Sequence, residues 1–150
     1  MRREIRLAWI AEDDPRMTEV HEVRHQALFA PFGLARNDCW NDGGEDRRHA
    51  IALLNGRVVG YASLLTPSDG TGHVRQVCVL PGMQDLGIGS ALMREVEEEA
   101  ARLGLPLLWL NARVTAEPFY RHLGWVTVSG VFSSGRTGVP HVRMEKPVGR

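Results

Sequence analysis

The sequence predicts a single α/β domain over residues 1–150, in which helices flank a mixed, mostly antiparallel sheet. Three observations lead to this fold class. Two apolar runs surround Asn55-Gly56 in HAIALLNGRVVGYASLL, and this pair tolerates the positive φ of a tight hairpin between antiparallel strands. Residues 88–103 carry apolar side chains at helical spacing. The Val-rich run HVRQVCVL and the Leu-rich run LPLLWLN predict further strands.

The N-terminal third of the chain predicts a strand, a helix and a loop. Apolar residues alternate in IRLAW, as in a half-buried strand, and Asp14-Pro15 then supplies a helix N-cap with proline in the first turn. From residue 30 to residue 48 the sequence has no apolar periodicity, and we expect a substrate lid there because long loops in compact domains are usually functional or mobile. The apolar face of the predicted helix consists of Met17, Val20, Val23, Ala27 and Leu28.

Composition limits the classes of partner. The chain has 18 basic and 18 acidic residues, and its formal net charge is zero. Nucleic acids and anionic membranes attract proteins with a surplus of Lys and Arg on one face, so the balanced charge argues against both. We therefore expect a small-molecule partner, with no nucleic-acid or membrane partner.

Two features bear on the cellular compartment. The stretch MRREIRLAWIAEDDP lacks the long apolar segment of a signal peptide or a membrane span, so we expect a cytoplasmic protein. The two cysteines, Cys39 and Cys78, lie far apart and form no CxxC pair. They predict free thiols rather than a disulfide framework or a thiolate zinc site.

A glycine pair, Gly87-x-Gly89, separates the strand HVRQVCVL from the amphipathic helix. The first turn of a helix has N–H groups without intrahelical partners and the positive end of the helix dipole, which together suit a phosphate or a diphosphate. Glycine lets such an anion reach the backbone without a Cβ in the way. The competing explanation is that the two glycines only permit a tight turn and close packing.

Two common nucleotide motifs do not fit this segment. A Walker loop ends in Gly-Lys-Ser/Thr, and PGMQDLGIGSALM contains no lysine. A Rossmann fingerprint needs a third glycine and follows the first strand of a parallel unit, whereas here Ser90-Ala91 follow the pair and a hairpin precedes it. The segment therefore needs a different explanation.

A second motif lies downstream, where TAEPFYRHLGW predicts a short helix that ends at Gly124 and leads into another strand. The two motifs together, in this order, resemble the GNAT superfamily of acyl-CoA-dependent N-acetyltransferases. The resemblance covers the chain from His49 to the final strand HVRMEKP. It rests on the strand HVRQVCVL, on Gln84-x-x-Gly87-x-Gly89, and on Ala116-x-x-Phe119-Tyr120-x-x-x-Gly124-Trp125.

The resemblance implies direct transfer of an acetyl group from acetyl-CoA to an amine held in the same cleft. It also implies that the two middle strands splay apart, and it makes a homodimer through the C-terminal strands plausible. The glycine segment would wrap the coenzyme's diphosphate, and the backbone of the preceding strand would pair with the pantetheine amides. The residues implied to bind the coenzyme are Val77, Cys78, Val79, Gln84, Asp85, Leu86, Gly87, Ile88, Gly89 and Ser90.

One position departs from the family pattern. Where many relatives have an asparagine that contacts the pantetheine arm, this chain has Arg113. Asn111, two residues earlier, is the alternative for that contact. Both residues therefore remain candidates for coenzyme binding.

Tyr120 is the predicted general acid. Expulsion of the coenzyme leaves a thiolate, whose conjugate thiol has a pKa of ~8.5, and a phenol with a pKa of ~10 is a workable proton donor to it. The resemblance places this tyrosine near the sulfur. The alternative is a tyrosine that only packs in the core, as we expect for Phe119.

The general base is less determined. An alkyl amine with a pKa of ~10.4 is neutral in only about one molecule in 2,500 at pH 7, which adds roughly 4.6 kcal/mol to the barrier, so a base or a water chain is useful. His73 stands where some relatives place a glutamate, although a histidine at a strand end can also be merely half-exposed. His49 and His141 are the rivals. Cys78 is expected to be inert packing, because direct transfer needs no nucleophilic thiol.

The acceptor amine is not identified by the sequence. Its specificity is expected to reside in the loops 30–48, 66–72 and 129–140, and both a small-molecule amine and a protein amino group remain open. Acidic residues in the first loop either attract a cationic amine or form a solvated face: Asp38, Asp42, Glu45 and Asp46. The alternatives to an enzyme are a non-catalytic acyl-CoA-binding or sensing domain and a structural or interaction domain.

Overall fold

The computed structural model describes residues 4–37, 40, 46–135 and 138–149. Within these residues one sheet contains eight strands. They are β1 (Ile5–Ile10), β2 (Asp46–Leu54), β3 (Arg57–Thr66), β4 (Gly72–Val79), β5 (Leu107–Arg113), β6 (Val126–Thr127), β7 (Phe132–Ser133) and β8 (Pro140–Pro147). Their order is β1-β2-β3-β4-β5-β8-β6, with β7 also paired to β8. Every pairing is antiparallel except that of β4 with β5, which confirms the predicted mixed sheet.

The helices flank this sheet, as predicted. They are α1 (Met17–Arg24), α2 (Ile88–Arg102) and α3 (Glu117–His122). A π-helical turn (His25–Phe29) and a 3₁₀ turn (Ala30–Phe32) follow α1, and a second 3₁₀ turn (Val114–Ala116) precedes α3. No helix within the described ranges is long and apolar enough to span a membrane.

The predicted N-cap, Asp14, lies before α1: the N-cap of this helix is Arg16, and no side chain caps it. The carboxylate of Asp14 accepts the N–H of Arg16 at 2.8 Å, and its carbonyl oxygen accepts the N–H of Met17 at 2.9 Å. Three predicted core residues of this helix, Met17, Val20 and Val23, are buried. Asp14 therefore stabilises the turn before the helix, which begins at Met17 and turns its apolar face inward.

The hairpin between β2 and β3 is confirmed. Asn55 has φ 54° and Gly56 has φ 79°, and Leu54 pairs with Arg57 across the turn. Consecutive positive φ values are those of the turn that matches the twist of a two-residue hairpin. The hairpin sets the register of the strand that leads to the cleft.

A bulge in β4 opens the middle of the sheet. Tyr61 on β3 pairs with Cys78, but Ser63 pairs with Arg75, so β4 contains one extra residue between them. Beyond Gly72 and His73, β4 no longer pairs with β5. The two strands therefore diverge, which confirms the predicted splay.

Helix α2 packs closely on β3, because Gly60 has no side chain. A Cβ at Gly60 would lie 2.7 Å from Cγ2 of Ile88 and 3.0 Å from Cδ1 of Leu92. The helix ends at the predicted cap, where Gly104 has φ 73° and the N–H of Leu105 returns to the carbonyl of Ala100 at 3.0 Å. This packing fixes the start of α2 beside the open edge of β4.

Some predictions fall outside the described residues. Cys39 and the acidic residues Asp38, Asp42 and Glu45 belong to that group, so the acceptor role considered for the lid stays a prediction. Asp46, the remaining acid, opens β2 and is exposed. The strand expected after Trp125 is short, because only Val126–Thr127 pairs with β8 before the chain leaves the sheet.

Candidate active site

A cavity of about 830 Å³ lies where β4 diverges from β5. Its wall also includes the start of α2, helix α3 and two residues of the π-helical turn, Ala27 and Leu28. One predicted site residue, Leu86, lies outside the cavity wall and is 42% exposed. The predicted site residues that line the cavity are His73, Val77, Cys78, Val79, Gln84, Asp85, Gly87, Ile88, Gly89, Ser90, Asn111, Arg113 and Tyr120.

We call the segment Gln84–Ser90 the glycine-loop end of the cavity. Gly87 occupies the N-cap position of α2 with φ 79°, which favours glycine, and a Cβ there would meet no atom within 4 Å. No side chain caps this helix. Gln84 accepts the N–H of Gly82 at 3.0 Å and so braces the loop. The first-turn N–H groups of α2 therefore adjoin open space, as an anion site requires.

Gly89 has a different role from Gly87. A Cβ on Gly89 would lie 3.2 Å from Cζ of Phe119, on α3. The missing side chain thus lets α2 and α3 approach each other. The packing explanation accounts for Gly89, whereas Gly87 provides a left-handed conformation and an open face.

Tyr120 lies on α3 and faces the cavity. Its ring makes edge-to-face contacts with Phe119 at 5.0 Å and with Trp125 at 6.0 Å between centroids. Burial, and then the neighbouring Cys78, raise the pKa of Tyr120 above its usual value. The phenol is therefore protonated at neutral pH, and burial makes it a weaker acid than an exposed tyrosine.

Cys78 is a buried thiol of β4. Burial raises its pKa to about 12, so the reactive thiolate form is scarce at neutral pH. This matches the expectation of inert packing. At neutral pH the side chain is therefore a poor nucleophile.

His73 stacks on Trp109 of β5, with a ring-centroid distance of 3.5 Å. The guanidinium of Arg143 lies 4.0 Å from the Trp109 ring. Burial, followed by the charges of Arg75 and Arg143, lowers the pKa of His73 to about 3. The imidazole is neutral at pH 7, but a base this weak is a poor acceptor for the proton of an amine.

His141, on β8, also lines the cavity and has a defined tautomer. Its Nδ1 lies 2.8 Å from the carbonyl oxygen of Val139, which can only accept, so Nδ1 carries the hydrogen. In the neutral ring Nε2 then holds the lone pair. The ring stacks on Phe132 with a centroid distance of 6.1 Å, and the backbone of His141 lies opposite Arg113 in the pairing of β8 with β5. His141 therefore presents a proton acceptor in a fixed orientation.

His49 is placed away from the cavity wall. It is buried, its Nε2 donates to Glu12 at 2.8 Å, and its Nδ1 accepts the hydroxyl of Tyr61 at 2.6 Å. Burial chiefly lowers its pKa, against the opposing effect of Glu12. With both ring nitrogens engaged, His49 links the segment that follows β1 to β2 and β3.

Sequence reasoning missed several residues of the wall. Arg75 and Gln76 line it beside the bulge, and Phe132 and Ser133 close it from β7. No local sequence pattern marks the bulge, because Gln76 adopts φ 57° in an otherwise ordinary strand. These positions become recognisable only through the pairing of β3 with β4.

The chain is similar to proteins named as acetyltransferases. It is 26% identical over 139 residues to an uncharacterized N-acetyltransferase, YjcF, of Bacillus subtilis (strain 168), which covers 93% of this chain and 98% of the relative. A crystal structure of an acyl-CoA N-acyltransferase from Pseudomonas aeruginosa has a TM-score of 0.80 and 21% identity, over 95% of this chain and 99% of that one.

Another structural neighbour was crystallised with coenzyme A. It is an aminoglycoside 6'-N-acetyltransferase with a TM-score of 0.78 and 16% identity, over 96% of this chain and 97% of that one. The sequence model of the acetyltransferase (GNAT) family matches residues 7–125. The chain therefore belongs to the GNAT family, and it is an N-acetyltransferase that acts on an amine acceptor.

Proposed function

We propose that this chain transfers the acetyl group of acetyl-CoA directly to an amine, with Tyr120 as the proton donor and His141 as the proton acceptor. The observation that carries the proposal is the single cavity that contains the glycine loop, the unpaired edge of β4 and the Tyr120 side chain. Each of these three parts supplies a different requirement of the reaction. They meet because β4 leaves β5 immediately before the glycine loop.

The glycine-loop end suits the coenzyme's diphosphate. The start of α2 offers backbone N–H groups and the positive end of a helix dipole to an anion. From there the pantetheine arm would follow β4, whose backbone from Val77 to Val79 lacks partners on β5. Asn111 and Arg113 line the opposite wall, so both remain proposed contacts of the arm.

The reaction proceeds by attack of the neutral amine nitrogen on the thioester carbonyl carbon. A backbone N–H of β4 aimed at the carbonyl oxygen would stabilise the tetrahedral intermediate by roughly 3 kcal/mol. His141 Nε2 accepts the proton that the amine loses. The carbon–sulfur bond then breaks, and the Tyr120 hydroxyl gives its proton to the departing thiolate.

We call the part of the cavity wall formed by His73, His141 and residues 132–135 the histidine end. Of the three histidines considered, His141 combines a cavity position with a lone pair that its own backbone contact leaves open. The lowered pKa of His73 and the two hydrogen bonds of His49 favour other roles for those residues. A water chain is the competing route for the proton.

The non-catalytic alternatives are not favoured. A sensing domain would keep the glycine loop without needing Tyr120, and an interaction domain would need neither. The similarity to acetyltransferases extends over nearly the whole chain and includes the segment that carries Tyr120. Turnover is thus the expected property.

Calorimetric titration with acetyl-CoA and with free coenzyme A tests the first half of the proposal. The same sample is then assayed for thiol release with small amines, an aminoglycoside and peptides that have a free N-terminus. Micromolar binding with amine-dependent thiol release would support acetyl transfer and name the acceptor class. Absence of binding at millimolar coenzyme would overturn the proposal.

A further inference from the structure

Gln76 has a backbone conformation that needs support. Among the described residues three non-glycine positions have a positive φ: Asn55, Gln76 and Asp85. Asn55 lies in the hairpin turn and Asp85 in the glycine loop, but Gln76 lies inside β4. Such a conformation is unfavourable for a residue with a Cβ and persists where surrounding contacts enforce it.

Arg24 supplies a direct contact to Gln76. Its Nε donates to Oε1 of Gln76 at 2.6 Å, and its residue is fully buried. The guanidinium lies 4.0 Å from the ring centroid of Trp40 and 5.6 Å from that of Phe29. Its Nη1 is 2.8 Å from Nδ1 of His21. A planar cation held on several sides is a rigid anchor for the amide of Gln76.

The location of this contact connects α1 to the opening of the sheet. Arg24 is the last residue of α1, and the π-helical turn that follows it places Ala27 and Leu28 in the cavity wall. Gln76 is the bulge residue at which β4 changes register against β3 and after which Val77–Val79 lines the cavity. The hydrogen bond thus joins a helix to the residue where the cleft begins.

We propose that Arg24 is a positioning residue: through the Gln76 side chain it holds the bulge of β4, and so it orients the backbone of Val77–Val79 toward the thioester. The inference rests on the proposed function for the identity of the ligand. We call the hydrogen bond from Arg24 to Gln76 the tether, and it is present in the protein without ligand. Whether the tether holds the bulge and whether the chain transfers acetyl groups can therefore be measured separately.

A matched pair of substitutions at Gln76 measures the backbone strain that the hydrogen bond to Arg24 offsets. Gln76→Ala and Gln76→Gly both remove the amide, but only glycine adopts the positive φ without cost. We expect Gln76→Ala to lower kcat about tenfold, and Gln76→Gly to stay within about threefold of the wild type. The KM for acetyl-CoA should change less than kcat in both. Equal losses in the two variants would overturn the proposal.

Arg24→Met tests the other partner. It should lower kcat as Gln76→Ala does, and addition of Gln76→Gly should restore most of the rate, because glycine no longer needs the tether. If Arg24 only fills space between two rings, its loss would cost the same factor in the Gln76→Gly background. Such additivity would contradict the proposal.

Hydrogen–deuterium exchange of residues 74–80 in ligand-free protein gives a readout that needs no activity. Relative to the wild type, exchange should accelerate in Gln76→Ala and in Arg24→Met. In the double variant Arg24→Met/Gln76→Gly, exchange should stay near the rate of Gln76→Gly alone. If Arg24→Met does not fold, the Gln76 pair still decides, since wild-type exchange in Gln76→Ala would overturn the tether. If the variants show this exchange pattern but the wild type transfers no acetyl group, the role of Arg24 stands and the proposed function fails.

Discussion

The two ends of the cavity are built in different ways. The glycine-loop end uses the backbone of one continuous segment, Gln84–Ser90, and its chemistry is that of exposed N–H groups. The histidine end combines side chains from β4, β7 and β8, which are distant in sequence. Backbone chemistry of the first kind follows from local sequence, whereas side-chain chemistry of the second kind depends on which strands pair. This difference predicts where substitutions should act: on coenzyme affinity at Gly87 and on turnover at the histidine end.

The largest expected effect belongs to the histidine end. His141→Ala should lower kcat about 100-fold, because the amine loses its oriented proton acceptor. His73→Ala should cost about threefold, since a weakly basic ring contributes little proton transfer. Steady-state rates of both variants, with the exposed His122→Ala as the control, measure the difference. A greater loss in His73→Ala would exchange the two assignments, and two small losses would favour the water chain.

The next effect concerns Tyr120, which lines the same cavity. Tyr120→Phe should lower kcat by at least about tenfold while the Kd for acetyl-CoA stays nearly constant, because only the proton donor is lost and the ring contacts remain. Stopped-assay rates and calorimetry on the same preparation separate the two quantities. Equal losses in rate and in affinity would instead indicate that the hydroxyl supports the shape of the cleft.

The two glycines of the glycine-loop end should differ in the effects of their substitution by alanine. Gly87→Ala should weaken coenzyme binding about fivefold and cost about 1 kcal/mol of folding stability, because alanine disfavours positive φ. Gly89→Ala should act mainly on turnover, since its Cβ would displace Phe119, the neighbour of Tyr120. Calorimetric Kd values and urea unfolding compare the two variants. Unchanged coenzyme affinity in Gly87→Ala would leave this glycine with only a conformational role.

The smallest expected effect is on stability as a function of pH. The pKa of His73 is lowered to about 3 by burial, with Arg75 and Arg143 adding to it, so between pH ~6.5 and 3 the unfolded chain binds a proton that the folded chain excludes. The contribution of the lowered His73 pKa to folding stability is therefore complete above pH ~6.5 and is lost as the pH falls toward 3. From pH 7 to pH 5 the wild type should lose about 1 kcal/mol more than His73→Gln, a figure reduced for the partial exposure of the ring.

Urea unfolding followed by circular dichroism at the two pH values measures this difference. The buried His49 is present in both proteins, so its own titration cancels in the comparison. Identical losses in wild type and variant would show that His73 titrates normally in the folded chain.

Local signals account for much of the fold. The Asn55-Gly56 pair determined the hairpin, and the apolar spacing of α2 with Gly104 determined that helix, because each depends on neighbouring residues alone. The family resemblance, rather than any pattern in the strand, predicted the splay of β4 from β5. The cytoplasmic location and the homodimer remain predictions.

The site residues are predictable from the sequence to different degrees, because some belong to local motifs and others depend on strand pairing. The glycine loop and Tyr120 belong to compact motifs, and they line one cavity as expected. The position of His73 in the strand favours it as the base, but its pKa is lowered by burial and by Arg75 and Arg143. Arg143 and the stacked Trp109 come from other strands. The tautomer of His141 depends on the carbonyl of Val139, which sequence does not reveal. The assignment of roles stays a prediction until the variants are measured.

The divergence of β4 from β5 has a consequence for the sheet as a whole. These strands share only the pairs at Gly72 and His73, so β1-β2-β3-β4 and β5-β8-β6 are two half-sheets joined at one corner. A pantetheine arm carries amides like those of a peptide, and in the proposed complex it would occupy the gap as a short surrogate strand. The coenzyme would then bridge the halves and raise the melting temperature with its concentration. The bound coenzyme would thus supply the strand that is missing between the two half-sheets.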